Sequence, residues 1–247
     1  MVSTGLDGDI AVVTGASSGI GEATAHVLAR DGATVVLAAR RRERLEEIAD
    51  DIAAEYDADA HVVPTDVTDE SEVQSLVDAT VEEFGSIDVL VNNAGLGRGS
   101  DVENLDTESY RQMMDVNCDG AFFVTRAALE HLREADGNLV FVGSFAGQYP
   151  RPSNPVYAAT KWWLRGFAHS VEAAHGDDGL AVTVVNPTEV RSEFGSEDGD
   201  AFEDVFEPGE VTEPVEIAEA IAFAARQEAP TTTSEIDVYR RDKFSHF

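Results

Sequence analysis

Thr14-Gly15-Ala16-Ser17-Ser18-Gly19-Ile20-Gly21 is the stretch that decides the fold of this 247-residue chain. It follows the β-branched run at 10–14 and leads into the helical segment Glu22-Ala23-Thr24-Ala25-His26-Val27-Leu28, so its glycines punctuate a strand-to-helix turn. Glycine permits a tight turn and lets backbone approach a pyrophosphate closely, and the N-terminus of the following helix attracts negative charge. The spacing is G-x-x-x-G-x-G, an altered form of the dinucleotide-binding pattern G-x-G-x-x-G. Gly15, Ser17, Ser18, Gly19, Ile20 and Gly21 are therefore candidate cofactor-binding residues.

Outward from this turn, short β-branched runs at 10–14, 34–38, 61–63, 89–91, 138–142, 181–185 and 235–239 alternate with helical stretches at 19–31, 42–56, 70–84, 107–131, 154–175 and 214–227. The alternation predicts a single α/β domain over residues 1–247, with a doubly wound parallel sheet of six to seven strands and helices on both faces. A cofactor half over about 1–143 and a catalytic and substrate half over about 144–247 are expected. The acidic, turn-rich stretch at 190–213 reads as a lid loop or as a disordered segment.

Composition narrows the function classes. Forty-eight acidic residues against seventeen basic ones give a net charge of −31, a field that repels nucleic acid and anionic lipid. The chain is still 43% hydrophobic with clear periodicity, so an ordered fold is expected. No apolar run reaches membrane-spanning length and the N-terminal residues lack a secretory pattern, which predicts a soluble, cytoplasmic protein. A single cysteine, Cys118, excludes an internal disulfide, and the six histidines are too dispersed to suggest a metal site. The acidic excess resembles that of proteins from halophiles that accumulate salt, and it predicts stability that depends on salt.

The second strand bears on which dinucleotide is bound. An acidic residue about twenty positions past the glycines would hold the ribose hydroxyls of NAD, but here the strand continues into Arg40-Arg41-Arg42. Asp31 has nearly the right count but precedes the strand, at the wrong end of the sheet. In a cation-poor chain a guanidinium fork suits a 2′-phosphate, so Arg40, with Arg41, is the candidate determinant for NADP(H). Arg42, and Arg41 as an alternative, would instead pair with Glu43, Glu46 or Glu47.

The second decisive pattern is Tyr157-Ala-Ala-Thr-Lys161, with Ser144 thirteen residues before the tyrosine. Residues four apart share a helix face, so the lysine ammonium lies beside the phenol and lowers its pKa from the ordinary ~10. Such a tyrosine can exchange a proton with a carbonyl or alcohol. Taken alone the spacing also describes an exposed helical pair worth a few tenths of a kcal/mol.

The glycine motif, Asn92-Asn93-Ala94-Gly95 after the fourth strand, Asn117, Ser144, and Tyr157 with Lys161 stand in the order and spacing of the short-chain dehydrogenase/reductase family, which the chain resembles over nearly its whole length. The resemblance implies a single Rossmann domain, a homo-oligomer (tetramer or dimer), that transfers hydride between a nicotinamide and a carbonyl or alcohol carbon. It implies Tyr157 as general acid or base, Ser144 as hydrogen-bond partner of the substrate oxygen, and Lys161 as the group that lowers the tyrosine pKa and holds the nicotinamide ribose. Asn117 would anchor a water relay from Lys161. Asp66 and Val67 would face the adenine, although Asp66 reads equally well as a helix cap. Asn93, Ala94 and Gly95 would line the cofactor. After the sixth strand Pro187, Thr188, Val190 and Ser192 would contact the carboxamide and pyrophosphate, with Thr188 standing where the family usually has glycine. Tyr-Ala-Ala-Thr-Lys, Ser192-Glu193-Phe194 and the C-terminus lie closer to the branch acting on serine and 3-hydroxy acids.

Phe145, Gln148, Tyr149, Arg151, Asn154, Trp163 and the loop at 194–206 are candidate pocket residues. Arg151 suits either a substrate carboxylate or a surface ion pair. The leading function is an NADP(H)-dependent carbonyl reductase or alcohol dehydrogenase on a small-molecule substrate. Its rivals are a non-catalytic NADP-binding redox sensor, a 3-oxoacyl thioester reductase, and a sugar-nucleotide epimerase of the extended relatives, for which the chain leaves little room after the sixth strand.

Overall fold

In a computed structural model of the protein, residues 5–195 and 200–243 are described. Seven parallel strands form one sheet in the order β3-β2-β1-β4-β5-β6-β7 among them: β1 (Ile10–Thr14), β2 (Thr34–Ala39), β3 (Ala60–Pro64), β4 (Val89–Asn92), β5 (Asn138–Val142), β6 (Ala181–Pro187) and β7 (Glu235–Val238). The central strands β1, β4 and β5 are buried at every position, as unbroken apolar runs require when helices cover both faces. The edge strands β3 and β7 are only partly buried.

Alternate side chains of each strand feed two cores. Ala11 and Val13 of β1 pack with helices α1 (Gly19–Arg30), α2 (Arg42–Tyr56) and α8 (Pro214–Ala225) through Leu28, Leu45, Ile48 and Ile221. Ile10 and Val12 face α3 (Glu70–Phe84), α5 (Ala121–Glu134) and α6 (Pro155–His175) through Leu76, Leu132 and Leu164. Each fully buried Leu or Ile contributes roughly 1.5–3 kcal/mol, so these two layers hold the strand ends in place for the loops above them.

The strand order reverses between β1 and β4, and the crevice above that switch point collects the turns that follow β1, β2, β4, β5 and β6. Two details depart from the periodicity. The segment expected as one helix at 107–131 is α4 (Thr107–Met114), a π-helical turn at Asp115–Gly120, and α5. The stretch at 190–213 holds the short helix α7 (Phe202–Val205) and a bridge from Val190 to Thr212, with residues 196–199 of the expected lid outside the described residues.

Candidate active site

A cavity of about 640 Å³ occupies the crevice. Gly15, Ser17, Ser18, Gly19 and Ile20 line one end, with Arg40, Arg41, Asp66 and Val67 beside them; Ser144, Tyr157 and Lys161 line the other. Asn93, Ala94, Gly95, Pro187, Thr188, Val190 and Ser192 join the two ends.

The glycine turn is shaped by close backbone approach. A Cβ on Gly21 would stand 2.2 Å from the Gly15 carbonyl oxygen, so only glycine lets α1 begin against the turn; Gly21 itself lies behind the cavity wall. Gly19 has φ +56, a left-handed conformation that favours glycine. The Asn93 amide nitrogen donates to the carbonyls of Thr14 (2.9 Å) and Gly15 (3.1 Å), and Thr14 Oγ1 accepts from the backbone N–H groups of Asn93 and Ala94, both at 3.1 Å. The Asn93 side chain thus braces the turn, while its backbone and Ala94 line the cavity.

At the other end Ser144 is the N-cap of a single 3₁₀ turn, its Oγ accepting from the Ala146 N–H at 3.1 Å. Tyr157 lies in the first turn of α6, which Pro155 starts, and Lys161 follows one turn later. The Lys161 Nζ donates to the Val142 carbonyl at 2.8 Å and lies 5.9 Å from the centre of the Tyr157 ring. Lys161 is 5% exposed, and burial lowers its pKa to about 8. Burial raises the Tyr157 phenol above its ordinary value, with a hydrogen bond to Ser144 and the charge of Arg151 acting the other way.

Asn117 sits in the π turn, buried, outside the cavity lining. Its Oδ1 accepts from the Leu96 N–H (2.9 Å), and its Nδ2 donates to the Leu96 carbonyl (2.8 Å) and to Thr160 Oγ1 (3.0 Å). A Cβ on Gly95 would lie 3.3 Å from Asn117 Oδ1 and 3.5 Å from Lys161 Nζ, so these three residues converge. Among the described residues no cluster of side chains suits a metal ion and no helix is long and apolar enough to cross a membrane.

Residues 9–201 match the model of the short chain dehydrogenases. The chain belongs to that family. An oxidoreductase of Staphylococcus aureus with no assigned substrate is 34% identical over 238 residues, 95% of this chain and 98% of the relative. Among solved structures, an alcohol dehydrogenase from Thermococcus sibiricus complexed with 5-hydroxy-NADP superposes with a TM-score of 0.86 at 30% identity, covering 94% of this chain and 96% of that one. A 3-ketoacyl-(acyl-carrier-protein) reductase from Brucella melitensis complexed with NADH gives 0.83 at 30% identity, with coverage of 94% and 97%. L-sorbose reductase from Gluconobacter frateurii, complexed with NADPH and L-sorbose, gives 0.85 at 26% identity, with coverage of 96% and 97%.

This short-chain dehydrogenase is an oxidoreductase, and its site departs from the sequence reading in four respects. Burial raises the Tyr157 phenol above its ordinary pKa, where the sequence reading expected a lowered one, and the Lys161 Nζ is turned to the Val142 carbonyl. The Asn117 side-chain amide is committed to Leu96 and Thr160, so it ties the Gly95–Gly97 loop to α6. Asp66 lines the cavity and is not the cap of α3. Its Oδ1 accepts from the Thr68 N–H and hydroxyl, its own N–H donates to Glu72, and Asp69 does the capping. Arg41 turns away from α2 to donate to Ser17 Oγ (3.2 Å) and the Ser17 carbonyl (3.0 Å), and it pairs with Glu193 at 2.9 Å. Arg42 pairs with Glu46 as expected, at 3.5 Å.

Of the pocket candidates, Arg151, Asn154, Phe194, Gly195 and Phe202 line the cavity. Phe145, Gln148 and Tyr149 do not. Phe145 is buried against Tyr149 with ring centres 4.3 Å apart, and Gln148 bonds Asp237 at 2.8 Å on the far side of that turn. Trp163 stacks on Phe167 on the outer face of α6. Phe194 packs on Tyr157 with ring centres 5.7 Å apart, and Gly97, which the sequence did not single out, completes the wall, since a Cβ there would stand 2.7 Å from the Phe194 ring.

Whether the residues present fit a nicotinamide dinucleotide is decided by the cradle itself. The turn at 15–21 accommodates nothing larger than glycine at Gly15 and Gly21, the cations Arg40 and Arg41 flank it, and the cavity continues without interruption to Ser144, Tyr157 and Lys161. They fit.

Proposed function

We propose that this protein is an NADP(H)-dependent carbonyl reductase or alcohol dehydrogenase acting on a small hydroxy or oxo compound, with a 3-hydroxy acid as the favoured class. The observation that carries the reading is one continuous cavity with arginines at its phosphate end and Ser144, Tyr157 and Lys161 at its other end. The neighbours complexed with 5-hydroxy-NADP and with NADPH support the same dinucleotide, and the reductase complexed with NADH marks the alternative.

A nicotinamide held in this cavity supplies or accepts the hydride. The chain's own residues manage the proton. In reduction the Tyr157 O–H gives its proton to the substrate oxygen, and Ser144 Oγ donates a hydrogen bond to that oxygen as its negative charge grows. A phenol held above its ordinary pKa is fully protonated at neutral pH, the state a proton donor needs. The Lys161 ammonium beside the ring offsets the phenolate that remains. In oxidation the same phenolate takes the proton from the alcohol.

Support for an acidic substrate comes from Glu189. Its carboxylate is held by Arg151 at 3.1 Å and by Lys243 at 2.7 Å, two cations on one anion at the cavity wall, and Arg151 is close enough to favour the Tyr157 phenolate. The surplus positive charge suits a substrate carboxylate. Exposed Trp162, Trp163 and Phe122 on α5 and α6 support a homo-oligomer built across that face.

The test is NADPH oxidation in molar salt across small 3-oxo acids, neutral ketones and a 3-oxoacyl thioester, with Tyr157→Phe as control. Turnover that prefers the acids and falls ~10²–10⁴-fold in the variant is expected. Preference for the thioester would move the assignment to acyl reduction. Tight NADPH binding with no turnover on any carbonyl would replace the enzyme by a redox sensor.

A further inference from the structure

Three consecutive residues after β6 touch three separate parts of the cavity. Ser192 packs over the glycine turn, where a Cβ on Gly19 would stand 2.9 Å from Ser192 Cβ. Glu193 pairs with Arg41 at 2.9 Å. Phe194 packs on the Tyr157 ring, and its N–H donates to Ser192 Oγ at 3.3 Å, which stiffens the strip between them. Arg41 is at the same time fixed to the glycine turn through Ser17.

The consequence lies in the charge. Arg41 is one of the two cations flanking the phosphate end, and a carboxylate of the chain already holds its guanidinium. Glu193 and a 2′-phosphate are anions that compete for one fork, and at such separations they also repel each other. The pair is about half exposed on both sides, so it is worth no more than an ordinary surface ion pair and a doubly charged phosphate can displace it. A dinucleotide without the 2′-phosphate leaves the pair intact.

We propose that Glu193 is a specificity-determining residue for the dinucleotide: it latches the strip 192–194 to Arg41, and a 2′-phosphate binds by displacing it. The latch rests on the NADP(H) reading. It couples the phosphate end to the catalytic end, because the strip that Glu193 anchors is the one that carries Phe194 onto Tyr157. Glu193 therefore lowers affinity for the phosphorylated dinucleotide while leaving the other unaffected.

The probes are 2′,5′-ADP, which carries the 2′-phosphate, and 5′-ADP, which does not, titrated calorimetrically into wild type, Glu193→Gln, Arg41→Ala and the double variant at fixed salt. Glu193→Gln should bind 2′,5′-ADP about two- to fivefold more tightly, the fold-change of a surface ion pair worth up to about 1 kcal/mol, with 5′-ADP unchanged. The gain should vanish in the Arg41→Ala background, which separates a local latch from a general loss of negative charge. A wild type without preference for 2′,5′-ADP overturns the NADP(H) reading and the latch together. A preference in wild type that Glu193→Gln leaves unchanged or weakens overturns the latch alone, as does a gain that persists without Arg41. Thermal unfolding of each variant confirms that the fold is kept.

Discussion

Replacing Lys161 by methionine should free the fold from a cost that the site imposes on it. The Lys161 side chain is buried and its pKa falls from 10.5 to about 8 because burial penalises the ammonium. Between those two values the unfolded chain binds a proton that the folded chain does not, so this residue makes wild-type stability rise with pH across that window. Below about pH 8 the full burial cost is present, and the shift corresponds to about 3 kcal/mol. Methionine fills a similar volume without a charge, but it leaves the Val142 carbonyl without the 2.8 Å bond from Nζ, at ~1–3 kcal/mol. Because a neutral amine donates that bond as well, the loss is nearly independent of pH. Lys161→Met should therefore be neutral to modestly more stable than wild type at pH 7 and less stable at pH 10.5. The gap between the two proteins should move by about 3 kcal/mol over that range, which is ~6–12 °C in Tm for a domain of this size. Urea unfolding of both proteins at a series of pH values in molar salt measures the gap directly. A constant gap would show that the folded lysine titrates at its ordinary value, and the assignment of its burial cost would fail. The same variant should lose turnover, so stability and activity trade against each other at this position.

Arg40→Ala and Arg41→Ala should each weaken NADPH more than NADH, by ~10-fold or more where a charge-assisted contact to phosphate is lost, as read from the ratio of the two dissociation constants. An unchanged ratio in both variants would remove the arginines from cofactor choice. Asn117→Leu removes three hydrogen bonds that join the Gly95–Gly97 loop to α6, and should cost ~3 kcal/mol or more in urea unfolding together with reduced turnover. Its loop role would be refuted by wild-type stability. With a net charge of −31, the fold should unfold at lower temperature in dilute buffer than in molar salt, where the Debye length shrinks to ~3 Å; a Tm independent of salt would refute the contribution of self-repulsion.

The fold was legible because its signals are local and repeated. Buried strands such as 138–142 read as apolar runs, and the glycine turn, Asn92-Asn93-Ala94-Gly95 and Ser144 each stand directly after a strand, where a parallel sheet places them on one edge. The π turn at Asp115–Gly120 was not legible. An inserted residue shifts the apolar spacing by a single position, which the short helical windows on either side of it do not register, and the hydrogen bonds from Leu96 and to Thr160 that the Asn117 amide makes in this turn come from segments distant in sequence.

The sequence by itself determined the parallel sheet with its alternating helices and the residue types at the strand ends, because these follow from periodicity and from backbone demands such as the glycine at position 21. Only the tertiary structure decided how the charged and polar groups act. Lys161 is turned to a carbonyl and pushed toward neutrality, the Tyr157 phenol is held protonated, and Arg41 is shared between Ser17 and Glu193, a residue 152 positions further along the chain. The state of an ionisable group depends on what is buried around it and on which distant segment supplies its counter-charge, and neither is written in the spacing of its own neighbours.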